Sequence, residues 1–101
     1  MKIIVITFCK NEEKILPFDG VFIAMGSTPI TALMQSAGGN VDDRGFLIVD
    51  RNQRMNLDGV YAAGDCTGWG MQIVCAAGEG AVAGMRSAAY IRKIKAKAAA
   101  K

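Results

Sequence analysis

The chain has 101 residues, 51% of them hydrophobic, and this length allows one domain at most. The net charge is +3, and five of the 12 basic residues lie in the last ten positions, so the rest of the chain has no basic surface typical of nucleic-acid binding. There is no histidine, the three cysteines are widely spaced, and no apolar run approaches the length of a membrane span. We therefore expect a cytoplasmic protein with reduced thiols, no metal site, and neither a nucleic acid nor a membrane as partner.

The first third of the sequence predicts a β-hairpin, a buried strand and a short helix. Residues 3–8 are rich in β-branched types, residues 11–13 form a polar turn, and residues 14–17 return as a second strand. Residues 19–25 form a nearly continuous apolar run, which is typical of a strand buried on both faces. Residues 31–37 then predict a short helix that ends at consecutive glycines.

The remaining elements are two short strands and one long helix. Residues 46–49 and 60–63 are apolar runs of strand length. A helix is predicted from Met71 or Gln72 to about Ile94, and the Lys/Ala tail after it is expected to fray. The helix has three interior glycines, and each lowers helix stability by about 1 kcal/mol relative to alanine, so we expect the helix to pack tightly against the sheet. The glycines are Gly78, Gly80 and Gly84.

The junction between the last strand and the long helix has the pattern of a ligand site. Gly64 and Asp65 end the strand, a loop with two glycines follows, and the helix then begins. Open α/β sheets bind ligands beyond the carboxyl ends of their strands, and a helix start there offers free N–H groups and partial positive charge. The alternative is purely structural, with Asp65 capping the following turn. Trp69, in the same loop, is interpreted as a residue that packs the loop, and the alternative is that it covers the bound ligand.

Four motifs occur in order along the chain: Gly20–Pro29, Gly45–Asp50, Gly59–Asp65 and Gln72–Gly80. Together they resemble the C-terminal part of the thioredoxin-reductase-like flavoproteins, within the pyridine nucleotide–disulfide oxidoreductases, over roughly residues 11–92. The resemblance implies an α/β fold: a partial FAD-binding, Rossmann-like domain with a β-hairpin and short strands followed by a long C-terminal helix. It implies three parts, which are the end of a nucleotide domain (1–18), the C-terminal part of the FAD-binding domain (19–94) and the tail (95–101).

The resemblance implies FAD as cofactor and assigns it five residues. In the family, the aspartate of Gly64-Asp65 binds a ribityl hydroxyl, and the helix start at Met71, Gln72 and Ile73 presents backbone N–H groups to the flavin pyrimidine edge. Many members have Arg-Gln where this chain has Met71-Gln72, and the loop is slightly short. We assign no catalytic residue and no metal ligand, because the family's redox Cys-x-x-Cys pair is absent and Cys66 stands alone.

The sequence also lacks the Gly-x-Gly-x-x-Gly segment that binds the FAD pyrophosphate, and the NADPH domain. Our first hypothesis is therefore a C-terminal fragment of a flavoenzyme that passes electrons from NAD(P)H through FAD to a disulfide, inactive by itself and completed by an N-terminal flavoprotein chain. The alternative is a non-catalytic structural or binding module on the same scaffold that forms homo-oligomers through exposed sheet edges. A third hypothesis is a weak flavin carrier.

Overall fold

The computed structural model describes residues 2–7 and 12–100, with side chains from residue 15 onward. Strands β1 (Lys2–Thr7) and β2 (Glu12–Pro17) pair antiparallel, with Lys2 opposite Pro17 and Thr7 opposite Glu12. The predicted hairpin is confirmed, although β2 begins two residues before the predicted strand. Phe8 and Asn11, which the prediction placed in the first strand and the turn, lie outside the described residues.

The segment 18–30 is the main departure from the predicted fold. Residues 19–25 were expected to form a buried strand, but they form no strand, and Phe22, Ile23 and Met25 are exposed. An apolar run becomes a strand only where neighbouring strands accept its hydrogen bonds, and no described residue pairs with this one. The prediction is therefore wrong for the chain by itself.

Helix α1 (Ala32–Ser36) lies within the predicted range and is fixed by the residue that precedes it. Thr31 is buried, and its hydroxyl donates to the Gly45 carbonyl oxygen at 2.8 Å. The same hydroxyl accepts a bond from Gln35 Nε2 at 3.0 Å. Thr31 thus connects the helix to the following β-rich region and does not cap the helix with its side chain.

Residues 40–63 form two tight turns, each organised by one aspartate. Asp42 Oδ1 accepts the N–H groups of Arg44 and Phe46, and Asp50 Oδ1 accepts those of Asn52 and Arg54. The backbone N–H of Phe46 is the main reason that the pKa of Asp42 lies below its ordinary value, and the N–H of Arg54 does the same for Asp50. Both carboxylates therefore stabilise their turns in the ionised form.

The strands predicted at 46–49 and 60–63 are reduced to single antiparallel bridges. Leu47 bridges to Val41, and Tyr61 bridges to Arg54. Each bridge joins the two arms of one turn, and these arms are too short to build a ladder. The backbone of residues 60–63 still follows the predicted path, because Met55 N–H donates to the Val60 carbonyl oxygen and Ala62 N–H donates to that of Gln53.

The core of the described residues is small. Phe46, Leu47 and Met55 are buried together with Thr31 and Thr67, and no described side chain of this group is less than 4% exposed. The radius of gyration is 20.9 Å, whereas a compact chain of this length has about 13 Å. The elongated shape follows from a hairpin and a long helix that each extend away from this small core.

Helix α2 (Ile73–Ala99) is the dominant element. It begins beside the predicted Gln72 but continues past Ile94 to Ala99, so the expected fraying of the tail is wrong, because alanine and lysine both favour helix. Methyl groups built on Gly78, Gly80 and Gly84 would meet no atom of the described structure within 4 Å. The expected tight packing of these glycines is therefore not made by the described residues.

The shortest polar contact in the middle of α2 is made by Tyr90. The Tyr90 hydroxyl donates to Asp58 Oδ2 at 2.5 Å, and Arg54 donates to the other oxygen, Oδ1, at 2.7 Å. The hydrogen bond between Tyr90 and Asp58 raises the pKa of Tyr90 above its ordinary value and lowers the pKa of Asp58 below its ordinary value. The Tyr61 ring meets the Tyr90 ring edge-on with centroids 6.5 Å apart.

We predict that Tyr90→Phe lowers the urea midpoint of unfolding, because it removes the donor to Asp58. The contribution of the Tyr90 hydroxyl to the free energy of unfolding is fully present below its unfolded-state pKa of about 10. It is lost as pH rises through the raised folded-state pKa. The contribution of the Asp58 carboxylate to the free energy of unfolding is present above its ordinary pKa and is lost as pH falls through the lowered folded-state pKa. The deficit of the variant should therefore be largest between roughly pH 5 and 9 and should shrink at higher pH, measured by far-ultraviolet circular dichroism.

The matched control is Tyr61→Phe, whose hydroxyl makes only a 3.4 Å contact to the Arg86 carbonyl oxygen. We expect a small effect without this pH dependence. A deficit of Tyr90→Phe that stays constant to strongly alkaline pH would contradict the assignment of the contact.

Candidate functional site

The predicted ligand site begins at a tight turn. Gly64 adopts φ 88° and is followed by one turn of 3-10 helix, Asp65–Thr67, which ends at Gly68. The Thr67 and Gly68 N–H groups donate to the Gly64 and Asp65 carbonyl oxygens, at 2.9 and 3.1 Å. The turn leaves the Asp65 side chain exposed. The N-cap position of this turn is occupied by Gly64, without a side-chain cap bond, so the structural alternative that Asp65 caps the turn is not supported.

The turn is fixed on its inner side by the small core. Leu47 N–H donates to the Cys66 carbonyl oxygen at 2.8 Å, which ties the turn to the segment containing the buried Phe46 and Leu47. A methyl group built on Gly68 would lie 2.8 Å from Phe46 Cγ, and Gly68 has φ 74°. Only glycine fits here without displacing the aromatic ring.

The loop from the turn to helix α2 is strained. Met71 N–H donates to the Trp69 carbonyl oxygen at 2.9 Å across Gly70, which has φ 71°, a γ-type turn. Met71 itself has φ 42°, a conformation that is unfavourable by roughly 1–3 kcal/mol for a residue other than glycine. Cys75 Sγ occupies the space where a Gly70 side chain would be, at 2.7 Å. The loop thus lies directly against the first turn of the helix.

The start of α2 is not capped by a side chain. Gln72 occupies the N-cap position with extended backbone, φ −129° and ψ 147°, and its side chain makes no capping bond. The first N–H groups of a helix have no partner within it, and the helix dipole places about half a positive charge there. Ile73, the first helical residue, is 91% exposed. The backbone donors of this helix start are therefore open to a polar or anionic group.

A cleft of about 340 Å³ lies beside the turn and the loop. It brings together two of the predicted site residues, Asp65 and Met71, with Cys66, Phe46 and the motif that contains Pro29. Gln72 and Ile73 follow Met71 in the chain but do not line this cleft, and Gly64 lies behind Asp65. The remaining lining residues come from the same motif: Ser27, Thr28 and Ile30.

The residues present fit the FAD that the resemblance implies. An exposed carboxylate accepts hydrogen bonds from a polyol, and an uncapped helix start donates to a group that carries negative charge. Both types of group stand at the ends of one short loop, Asp65–Gln72. The donor and acceptor set therefore suits the ribityl chain and the pyrimidine edge of a flavin.

The structure gives no sign of a redox role for Cys66 among the described residues. Cys66 Sγ is half-buried and contacts the Ala63 carbonyl oxygen at 3.4 Å. Trp69 is 72% exposed, so the expectation that it packs the loop is wrong. Among the described residues there is no cluster of three metal-ligating side chains, and no helix is long and apolar enough to cross a membrane. Cys9 lies outside the described part.

Sequence reasoning missed two residues that shape the site, Glu79 and Thr67. The Gly64 N–H donates to Glu79 Oε2 at 2.7 Å, and the Thr67 hydroxyl lies 2.8 Å from the same oxygen. A signal was present, because Glu79 is the one charged residue between positions 66 and 85. An isolated charge in an apolar and glycine-rich helix segment indicates a specific partner.

Comparison with known proteins identifies the family of the chain. A family model described as pyridine nucleotide-disulphide oxidoreductase matches residues 2–80. The thioredoxin reductase of Listeria monocytogenes is 40% identical over 86 residues, which cover 84% of this chain and 27% of that protein. The F subunit of the Staphylococcus aureus alkyl hydroperoxide reductase is 37% identical over 82 residues, 80% of this chain and 16% of that protein.

Two solved structures have a similar backbone. The T. acidophilum thioredoxin reductase superimposes with a TM-score of 0.70 at 42% identity, covering 84% of this chain and 28% of that one. The atypical thioredoxin reductase TRi from Desulfovibrio vulgaris Hildenborough gives 0.60 at 40% identity, covering 79% and 27%. The chain belongs to the pyridine nucleotide-disulphide oxidoreductase family and is similar to its thioredoxin reductases. It spans about a quarter of the length of the thioredoxin reductases that it matches.

We predict that Gly68→Ala destabilises the turn, because its methyl group would overlap the Phe46 ring and its φ is positive. The expected loss in the free energy of unfolding is about 1–3 kcal/mol, measured by urea denaturation. Gly78→Ala is the control, because nothing lies within 4 Å of its position, and it should stabilise the helix by about 1 kcal/mol. Equal changes in the two variants would show that the Phe46 contact does not restrain the turn.

Proposed function

We propose that this chain forms the C-terminal part of the FAD-binding domain of a thioredoxin-reductase-like flavoprotein. The whole enzyme would pass electrons from NAD(P)H through FAD to a disulfide or another acceptor. The observation that carries the proposal is the loop Asp65–Gln72, which joins an exposed carboxylate at the cleft to the uncapped start of helix α2 that follows Met71. The 40% identity to a thioredoxin reductase supports the assignment to this branch of the family.

In this proposal the chain binds and orients the cofactor. The Asp65 carboxylate would accept a hydrogen bond from a ribityl hydroxyl, and the backbone N–H groups at Gln72 and Ile73 would donate to the pyrimidine edge. When bound, FAD supplies the electron-accepting group. The positive end of the α2 dipole would stabilise negative charge on the neighbouring edge of the ring. Met71, whose backbone is strained, lines the cleft beside Asp65.

The exposed apolar surface supports a requirement for further polypeptide. Monomeric soluble proteins rarely expose large contiguous apolar patches. Here large apolar side chains are exposed along the 18–30 segment and at the start of α2, and the helix glycines face open space. The most exposed are Phe22, Ile23, Met25, Ile30, Ile73 and Val74. We infer that an N-terminal flavoprotein portion with a Gly-x-Gly-x-x-Gly segment covers this surface, and that the chain by itself has no turnover.

The non-catalytic module remains the second candidate, favoured by the hairpin. Among the described residues its sheet has two strands, so outer strand edges can pair with another copy. Sedimentation equilibrium distinguishes the two functions. Stable homo-oligomers that bind no FAD would favour the module, and a monomer that associates with an N-terminal flavoprotein portion would favour the flavoprotein.

We predict that FAD binds to the chain supplemented with the N-terminal portion of the Listeria monocytogenes thioredoxin reductase, and that Asp65→Ala weakens this binding. Loss of a hydrogen bond to a charged group corresponds to an increase in Kd of about 10-fold to 100-fold. The measurement is a titration followed by flavin absorbance and fluorescence, with the chain alone in parallel.

Asp43→Ala is the control, because Asp43 is also exposed but does not line the cleft. Its Kd should equal that of the wild type. Absence of FAD binding in every mixture, or equal binding by the Asp65→Ala variant, would contradict the proposed function.

A further inference from the structure

Glu79 is a half-buried carboxylate on the second turn of α2, and nothing in the proposed flavin chemistry requires it there. Its Oε2 atom accepts the Gly64 N–H at 2.7 Å, which is the backbone donor immediately before Asp65. The same oxygen lies 2.8 Å from the hydroxyl of the buried Thr67, two residues after Asp65. One oxygen of α2 therefore holds both sides of the residue proposed to bind the ribityl chain.

The Thr67 hydroxyl has two acceptors and a single hydrogen. It lies 2.8 Å from the Gly64 carbonyl oxygen and 2.8 Å from Glu79 Oε2. An ionised carboxylate is the stronger acceptor, because hydrogen bonds to charged groups are shorter and about twice as strong as neutral ones. The hydroxyl therefore donates to Glu79 Oε2 and fastens the turn to the helix, while the backbone N–H groups of Thr67 and Gly68 close the 3-10 turn. Removing Glu79 would leave the Gly64 N–H without its acceptor and would release the turn from α2.

The other contacts of the turn lie on one side of Asp65. Its remaining tie to the core is the bond from Leu47 N–H to the Cys66 carbonyl oxygen, together with the Phe46 ring against Gly68. Those contacts lie after Asp65, toward the loop. The Gly64 side is fixed by Glu79. Since the Asp65 side chain is exposed and lines the cleft, a small rotation at Gly64 would move its carboxylate relative to the helix start.

We propose that Glu79 is a positioning residue for the FAD site: by binding Gly64 and Thr67 it sets the direction of the Asp65 carboxylate. This inference rests on the proposed function, because it concerns the same site. Glu79 does not touch the flavin in this assignment; it acts through Asp65. The arrangement requires an acceptor oxygen at this position. A glutamine at position 79 should therefore preserve the FAD site, and an alanine should not.

The test combines amide hydrogen exchange at Gly64, read by NMR, with the Kd for FAD of the chain supplemented as in the binding experiment above. In Glu79→Ala we expect Gly64 exchange to accelerate at least about 10-fold and the Kd to rise about 10-fold, the scale of one lost hydrogen bond. In Glu79→Gln, whose carbonyl oxygen can accept both bonds, both values should stay within about 3-fold of the wild type.

Asn56→Ala is the matched control for a loss of stability alone. Asn56 also makes two hydrogen bonds with backbone, accepting from Asn40 N–H and donating to the Gly38 carbonyl oxygen, both at 2.8 Å. It lies outside the site, so its removal should leave the Kd unchanged. A rise in Kd for Asn56→Ala equal to that for Glu79→Ala would overturn the positioning role.

Two further outcomes separate the inference from the function on which it rests. If the wild-type chain binds FAD and Glu79→Ala binds it equally well, the positioning role is wrong and the proposed function stands. If no mixture with the wild-type chain binds FAD, both fail, and faster Gly64 exchange in Glu79→Ala would then report only a structural bond. Failure of Glu79→Gln to restore tight binding would also overturn the role as an acceptor.

Discussion

The contact between Glu79 Oε2 and the Gly64–Thr67 turn is the interaction on which the candidate site depends. It joins the long helix α2 to the turn that carries Asp65, through a donor at 2.7 Å and a hydroxyl at 2.8 Å. Further along, helix α2 meets the β-rich region through Tyr90, which contacts Asp58 and Tyr61. The helix start, the strained Met71 and the exposed carboxylate keep their relative positions because the turn is fixed from both the helix and the core.

The rest of the chain has a precise local structure but an incomplete core. The turns at Asp42 and Asp50 are fully organised by backbone hydrogen bonds to one carboxylate each, whereas large apolar side chains such as Phe22 and Ile73 remain exposed. This combination fits a chain that spans about a quarter of the length of its thioredoxin reductase relatives. Burial of a domain surface needs partners for every apolar face, and the described residues provide them for only a few.

Short sequence patterns predicted secondary structure that depends on nearby residues. They failed where the structure depends on contacts with residues far away in sequence. The hairpin and helices α1 and α2 follow from β-branched runs, glycine stops and helix-forming residues, all of which act within a few positions. Residues 19–25 have the composition of a buried strand but form none, because a strand depends on neighbouring strands. The candidate site was predicted from Gly64, Asp65 and the helix start, while the contact of Glu79 was missed, since it joins residues that are 15 positions apart in sequence.

The most direct test of the account is an amide NMR map of the ¹⁵N-labelled chain, assembled with an N-terminal flavoprotein portion and titrated with FAD. If Asp65 and the helix start bind FAD, the largest changes in amide chemical shift will occur at Asp65–Thr67 and in the first turn of α2 after Gln72. Residues 40–56, apart from Phe46 and Leu47 beneath the turn, should change little. Changes confined to the basic end of α2, around Arg92–Lys97, would show only electrostatic attraction of the FAD phosphates and would contradict the assignment of the site.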